Sequence, residues 1–220
     1  MPLKHTLRLN KHWSSQKSNC IMNLVNEIQG TVFLCQRIRR NNGDEMAEIV
    51  FFAISGPTWL GGCVANREIG NTQIVAETLG RQLGASISRI EPKQPYPDEY
   101  TALTARAETE KAPEKWPELM PMPPLTSDTI YLGYPNWFGD VPPAVKQWLR
   151  QTPLVGKRIR PFVTHEGSGV GTSMATLSTL AVGATIEQAL PVRGGRAARS
   201  ECAVRNWLAA LDVEEQRRMQ

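Results

Sequence analysis

The sequence lacks every common metal-binding or dithiol pattern. Its four cysteines, Cys20, Cys35, Cys63 and Cys202, form no C-x-x-C pair and have no nearby histidine, so they read as isolated reduced thiols and not as a zinc site. No stretch approaches the ~20 consecutive apolar residues of a membrane span, and the N-terminus has no apolar run ending in a small-residue cleavage site. The expectation is a soluble cytoplasmic protein with no membrane contact. At 220 residues it fits one domain with a sizeable core.

Three catalytic or nucleotide motifs are also missing. Neither glycine-rich loop is G-x-x-x-x-G-K-[ST], so no lysine is placed for a nucleoside triphosphate. "GSGVG" is not G-x-G-x-x-G and does not follow the first strand, which argues against a dinucleotide fold. Ser168 lies close to His165, but Glu166 and Val170 stand where the G-x-S-x-G elbow needs glycine, and His165 is expected to serve the loop.

The net charge is +4, and residues 1–46 carry all of it, leaving 47–220 neutral. The body has no basic patch interleaved with aromatics, so no nucleic-acid partner is expected. Residues 1–46 show no sustained hydrophobic period and read as a poorly ordered leader. Gly43, Asp44, Glu45 and Met46 back-translate to a purine-rich stretch just ahead of an ATG, so Met46 is expected to be the native start. N-terminal sequencing of the native protein that returned Met1 or Pro2 would overturn this.

From Ala47 onward, strand and helix patterns alternate. The apolar run 48–55 has the character of a strand buried on both faces. A loop follows, then a helix from Thr72 to about Leu83, an alternating strand over 85–91 and a helix within 96–112 with Asp98 and Glu99 at its N-terminus. A proline-rich connection (113–124) leads to a strand over 129–133, a helix over 143–150 and a strand over 157–164. A glycine-rich loop, a helix over 172–180, a strand over 184–192 and an amphipathic helix over 201–211 complete the domain, 47–212, with a tail at 213–220. Such alternation predicts an α/β fold, a parallel sheet covered by helices on both faces.

In open α/β sheets ligands gather beyond the carboxyl ends of the strands. The loop over 55–72 brings glycines to a helix start, whose unpaired N–H groups make an anion site without lysine. There Asn71 or Thr72 is expected to cap the helix and, with Ser55, to reach phosphate oxygens; an ordinary N-cap is the alternative. "GYPNWFGDVPP" offers Tyr134, Trp137 and Phe138 to a planar ligand, or to a satellite core cluster. "THEGSGVGTS" offers backbone groups and the Thr164 and Ser168 hydroxyls to a heteroaromatic edge. The three loops together describe a planar phosphorylated ligand, and FMN fits.

From about residue 48 to 211 the chain resembles the flavodoxins, in particular those with a lengthened phosphate loop. The matching stretches are "GNTQIVAETLG", "ISRIEPKQPYPDEY", "IYLGYPNWFGDVPPAV" and "PFVTHEGSGVGTS". The resemblance implies a doubly wound, five-stranded flavodoxin-like sheet of order 2-1-3-4-5 in three α/β/α layers. It also implies non-covalent FMN and electron transfer with a redox partner protein, a flavoprotein reductase or an electron acceptor. By resemblance, Ser55, Gly70, Asn71 and Thr72 hold the phosphate. Pro135, Asn136, Trp137, Phe138 and Gly139 line the isoalloxazine, with Trp137 as the stacking ring, and Thr164, Gly167, Ser168 and Gly169 face the pyrimidine edge.

The sequence departs from the family pattern in three places. Glu166 stands where glycine is common, the first loop "SGPTWLGGCVANREIGNT" is long and contains Trp59, expected either to cover the flavin or to fill the core, and the leader has no counterpart. Glu166 and Asp140 are the candidate acids beside the flavin. Two other functions fit the same pattern: an FMN-dependent NAD(P)H:quinone or nitro oxidoreductase, with Arg193, Arg196 and Arg199 available to a nicotinamide phosphate, and a scaffold domain that has lost its flavin.

Overall fold

A computed structural model describes residues 47–220. The leader over 1–46, with the expected start at Met46, lies outside the described residues.

The domain is built on a parallel sheet. β1 (Ala47–Phe51) pairs on one side with β4 (Ser86–Arg89) and on the other with β5 (Thr129–Pro135), which in turn pairs with β6 (Arg158–His165). Beyond β6 the last position is shared by β7 (Thr185–Ile186) and β8 (Leu190–Arg193), both parallel to it. The order is thus the expected 2-1-3-4-5, with the fifth strand divided. The division falls at Glu187, whose side chain turns inward to meet Arg160 Nε at 2.6 Å.

Successive strand residues point to opposite faces, and here both faces are buried. Val50, Phe52, Ile130, Leu132, Ile159 and Val163 pack under α3 (Pro143–Gln151) and α4 (Ser173–Leu180). Ile49, Phe51, Tyr131 and Phe162 pack under α1 (Asn71–Leu83) and α5 (Glu201–Arg218). The fit is close: a Cβ on Gly133 would lie 2.1 Å from the Phe162 ring. Among the described residues no helix is long and apolar enough to cross a membrane.

Helix boundaries follow local chemistry. α1 starts one residue earlier than expected, because Gly70 itself occupies the cap in extended conformation and no side chain caps it, so Asn71 and Thr72 belong to the first turn. It ends at Gly84, in the left-handed conformation glycine tolerates, with its N–H on Gly80 O at 2.8 Å. α2 (Tyr100–Thr109) is capped by Glu99, whose carboxylate accepts from Thr101 N at 2.8 Å and Ala102 N at 2.7 Å. These two N–H groups hold the Glu99 carboxyl below its ordinary pKa.

Two features depart from the sequence pattern. Within the expected loop 55–72 lies an antiparallel hairpin, β2 (Gly56–Leu60) and β3 (Cys63–Arg67). Its two-residue turn is Gly61-Gly62, both at positive φ, as a right-twisted hairpin demands. The tail expected at 213–220 is helical through Arg218, because polar contacts continue α5 past its apolar stripe. Glu215 pairs with Arg158 and with Arg160, and Arg218 reaches Glu187 Oε1 at 2.6 Å.

Arg160 and Glu187 are both almost wholly buried, and Arg160 also donates to Tyr131 Oη at 2.9 Å. Burial alone would raise the Glu187 carboxyl, but Arg160 and Arg218 outweigh it and hold the group below its ordinary value; Glu215 is held low in the same way by Arg158 and Arg160. Glu187→Ala removes one of the two carboxylates that hold the buried Arg160 guanidinium, leaving Glu215 and Tyr131, and a loss of about 2 kcal/mol in denaturant unfolding is expected. A depressed carboxyl stabilises above its unfolded pKa of about 4.3, and the contribution disappears as pH falls through the folded value. The variant should therefore show a shallower loss of stability below about pH 4 than the parent.

Candidate functional site

The carboxyl ends of β1, β5 and β6 open into a cavity of about 660 Å³. Ile54, the loop after β5 and the loop after β6 form its floor; the first turn of α1, the β2–β3 hairpin and α2 form its walls. Its position follows from the sheet. The three strands are apolar on both faces, so polar and aromatic residues collect where the strands end.

Of the residues expected from the sequence, Asn71, Thr72, Pro135, Asn136, Trp137, Phe138, Thr164, Gly167 and Ser168 line the cavity. Thr72 and Thr164 are both buried and share a hydrogen bond of 2.7 Å between their hydroxyls, tying the start of α1 to the end of β6. Asn136 donates its backbone N–H to Thr164 O at 2.7 Å and its side-chain Nδ2 to Gly169 O at 2.8 Å. Its Oδ1, like Asn71 Oδ1, is buried with no hydrogen-bond partner.

Four expected residues do not line the wall. Ser55 is exposed at the entry to the hairpin, which carries the chain away from the helix start. Gly70 is buried beneath it, where a Cβ would come within 2.4 Å of the Ile54 carbonyl oxygen. Gly139 and Gly169 build loops instead: Gly139 O accepts from Thr172 N at 2.7 Å, and Gly169 O takes the Asn136 amide. Asp140, a candidate acid beside the flavin, is also engaged elsewhere. Burial pushes its carboxyl up, but Lys146 Nζ at 2.7 Å, with Thr176 and the Val141 N–H, holds it below its ordinary value.

The aromatic wall differs from expectation in its roles. Trp137 is half-buried and meets Phe52 and Tyr96 edge-on at 5.5 and 5.2 Å, so it both lines the cavity and fills the core. Phe138 is 54% exposed, with Lys111 Nζ 4.2 Å from its ring centre. At φ 52° it is the one non-glycine residue among those described with a left-handed backbone. The tight turn closed by Trp137 and Asp140, which exchange N–H···O bonds at 3.0 and 2.9 Å, requires that conformation and turns the ring toward the cavity.

Of the opposite wall the sequence offers Trp59 alone, as a cover for the flavin or a core residue; it is 48% exposed and lines the cavity, so it does not fill the core, while Tyr100, Leu103 and Ala107 were missed. Trp59 on β2 and Tyr100 on α2 lie 6.4 Å apart between ring centres, and Leu103 and Ala107 line the cavity below them. "WLGGCV" carries the hairpin signal, Gly-Gly between β-forming residues, but those glycines also suit a phosphate loop.

At the other end, His165 serves the loop as expected, its Nδ1 accepting the Gly167 N–H at 3.0 Å. Burial first, and Arg193 second, keep its pKa below the usual value against the pull of Glu166. Glu166 Oε2 accepts from Gly61 N at 3.3 Å and lies 3.8 Å from Arg193 Nε, while Oε1 is buried without a hydrogen-bond partner. Among the described residues no cluster of three His, Cys, Asp or Glu is placed to hold a metal ion.

No curated protein sequence matches the chain significantly. Among solved structures, a candidate flavoprotein from Bacteroides eggerthii DSM 20697 superposes with a TM-score of 0.61 at 23% identity, over 75% of this chain and 96% of that one. A flavoprotein in complex with FMN from Lactobacillus acidophilus NCFM superposes with a TM-score of 0.52 at 16% identity, over 72% and 99%. At these identities the likeness establishes the fold. A family profile described as flavodoxin matches residues 63–210, two thirds of the sequence and most of the described domain. The chain belongs to the flavodoxin family.

Proposed function

We propose that the protein binds FMN without a covalent link and passes electrons to and from a redox partner protein in the cytoplasm. The observation that carries this reading is the cavity itself. It runs from a lysine-free helix N-terminus, past buried acceptors and hydroxyls, to a wall of aromatic rings at the strand ends. Those residues suit a planar phosphorylated group, and the Lactobacillus acidophilus flavoprotein of the same fold is a complex with FMN.

In this reading the first turn of α1, with Asn71 and Thr72, receives the phosphate. Trp137 and Phe138 present ring surface to the isoalloxazine. Gly167 and Ser168 border the pyrimidine edge, while the Thr164 hydroxyl, expected there too, lies 2.7 Å from that of Thr72 and so belongs to the phosphate end. Bound FMN supplies the reversible uptake of electrons; the protein positions it, excludes water from one face and sets the local charge.

A second reading, an FMN-dependent NAD(P)H:quinone or nitro oxidoreductase, draws on the chamber between Trp59 and α2. Tyr100, Leu103 and Ala107 give that side apolar surface beyond the loops expected to hold flavin. An absorption spectrum of the FMN-loaded protein, followed anaerobically after NADPH is added, separates the two. A carrier keeps its oxidised bands until a reductase is supplied, whereas direct bleaching by NADPH identifies the oxidoreductase. A protein that takes up no FMN overturns both.

Phe138 tests the cavity assignment separately. Asparagine tolerates a left-handed backbone, so Phe138→Asn should relieve strain and stabilise the ligand-free protein by about 1 kcal/mol in denaturant unfolding. Losing the ring should weaken FMN binding about fivefold in a fluorescence titration, equivalent to about 1 kcal/mol of stacking.

A further inference from the structure

Behind the aromatic wall of the cavity lies a tyrosine with a proton acceptor built against it. Tyr96 follows β4, and its ring meets Trp137 edge-on at 5.2 Å between centres, with Phe52 packed on the two at 5.9 and 5.5 Å. Its hydroxyl donates to Glu110 Oε2 at 2.5 Å. Glu110 closes the C-terminus of α2 and is 6% exposed, and its other oxygen, Oε1, accepts from Arg106 Nε at 2.7 Å. Arg106 also donates to the Pro95 and Gln94 carbonyls, so the segment that carries Tyr96 fixes the acceptor of its hydroxyl in place.

Among the described residues only Tyr96 has this arrangement. Tyr131 Oη accepts from the Arg160 guanidinium, Tyr134 Oη donates to the Ser173 hydroxyl, and Tyr100 stands at the cavity wall beside Trp59. A phenol alone is hard to oxidise, because loss of one electron leaves a strongly acidic cation. A carboxylate on the hydroxyl removes that obstacle: the proton crosses the hydrogen bond as the electron leaves, and the products are a neutral radical and a neutral acid. Until then the phenol keeps its proton, since burial first and the Glu110 carboxylate second hold it above its ordinary pKa against the pull of Arg106.

We propose that Trp137 and Tyr96 form a two-step electron path into the cavity, in which Tyr96 gives an electron to oxidised Trp137 and its hydroxyl proton to Glu110 Oε2. The inference rests on the flavin reading above for its oxidant, a bound oxidised flavin excited by light. Trp137, the ring that lines the cavity, gives one electron to that oxidant and recovers it from Tyr96 across their ring contact. The Tyr96 O–H bond breaks and an O–H bond forms on Glu110, so the Tyr96–Glu110 pair loses the one negative charge that the flavin gains. Arg106, the cation facing both residues, keeps its two carbonyl partners when Glu110 becomes neutral. Return of the electron through Trp137 and of the proton to Tyr96 restores the starting state. The pair thus draws an oxidising equivalent off the cavity wall and holds it in the core.

Two flash experiments on the full chain test this and separate it from the flavin reading. In the FMN-loaded protein a laser pulse should yield a tryptophan radical and then a tyrosyl radical, read by transient absorption and electron paramagnetic resonance. In the flavin-free protein, photogenerated ruthenium(III) tris-bipyridine replaces the flavin as oxidant, and a tyrosyl radical should form again. Tyr96→Phe keeps the ring packing and should remove the tyrosyl signal, leaving the tryptophan radical. Glu110→Gln keeps an acceptor but no base, so tyrosyl formation should slow about a hundredfold, whereas a purely structural Glu110 would shift the unfolding midpoint and leave the rate unchanged. In the parent, tyrosyl formation should be slower in deuterated water. A parent with no tyrosyl radical under either oxidant, or with equal rates in the two waters, overturns the proposal without need of any variant. A tyrosyl signal undiminished in Tyr96→Phe, an unchanged rate in Glu110→Gln, or a radical formed by ruthenium but not by bound FMN overturns it as well. If the protein takes up no FMN, the flavin reading fails, while the ruthenium experiment still decides whether Tyr96 passes its proton to Glu110.

Discussion

The structure depends on the three central strands, β1, β5 and β6, being apolar on both faces. Val50 and Ile49, Leu132 and Tyr131, Val163 and Phe162 point to opposite layers, and each layer is closed by its own pair of helices. A strand sealed in this way has no room for unpaired polar side chains along its length. The one large exception, Arg160, is held by Glu187, Glu215 and Tyr131 under α5. Elsewhere the polar chemistry is displaced to the strand ends, and the cavity forms at their carboxyl ends.

The insertion after β1 changes how that cavity is built. In a short phosphate loop the chain would pass directly from strand to helix, with Ser55 and Gly70 adjacent to the same anion. Here the hairpin separates them, leaving Ser55 at the surface while Gly70 stays under the Ile54 carbonyl. What the hairpin removes from the phosphate end it adds to the opposite wall, through Pro57, Thr58 and Trp59. It is also anchored at its turn by Glu166, so the lengthened loop and the unusual acid, which read as separate departures in the sequence, are one structural unit.

The aromatic loop shows a related compromise. Trp137 is wedged edge-on between Phe52 and Tyr96, which fixes the loop to the core, and this lets Phe138 stand in a left-handed conformation that a bulky residue avoids when free. Packing at one residue thus holds strain at its neighbour, with the strained ring on the cavity side.

Much of this was legible from residue order. Apolar runs at 48–55, 129–133 and 157–164 with helical periods between them determine a parallel α/β sheet, because only burial on both faces accommodates such strands. "GNT", "PNWF" and "THEGSG" at the strand ends mark the loops that line the cavity. Contacts between residues distant in sequence were not legible. The pairing of Gly61 with Glu166 spans 105 positions, the Thr72–Thr164 hydroxyl bond spans 92, and the Arg160–Glu187 pair that divides the last strand spans 27. The extension of α5 to Arg218 has no apolar signal, because ion pairs to β6 and Glu187 continue it. Local sequence determines which elements form and where a ligand can approach. The tertiary structure alone decides which polar atoms find partners, and so leaves Glu166 Oε1 and Asn71 Oδ1 without them: hydrogen bonding depends on distances that only the folded chain establishes.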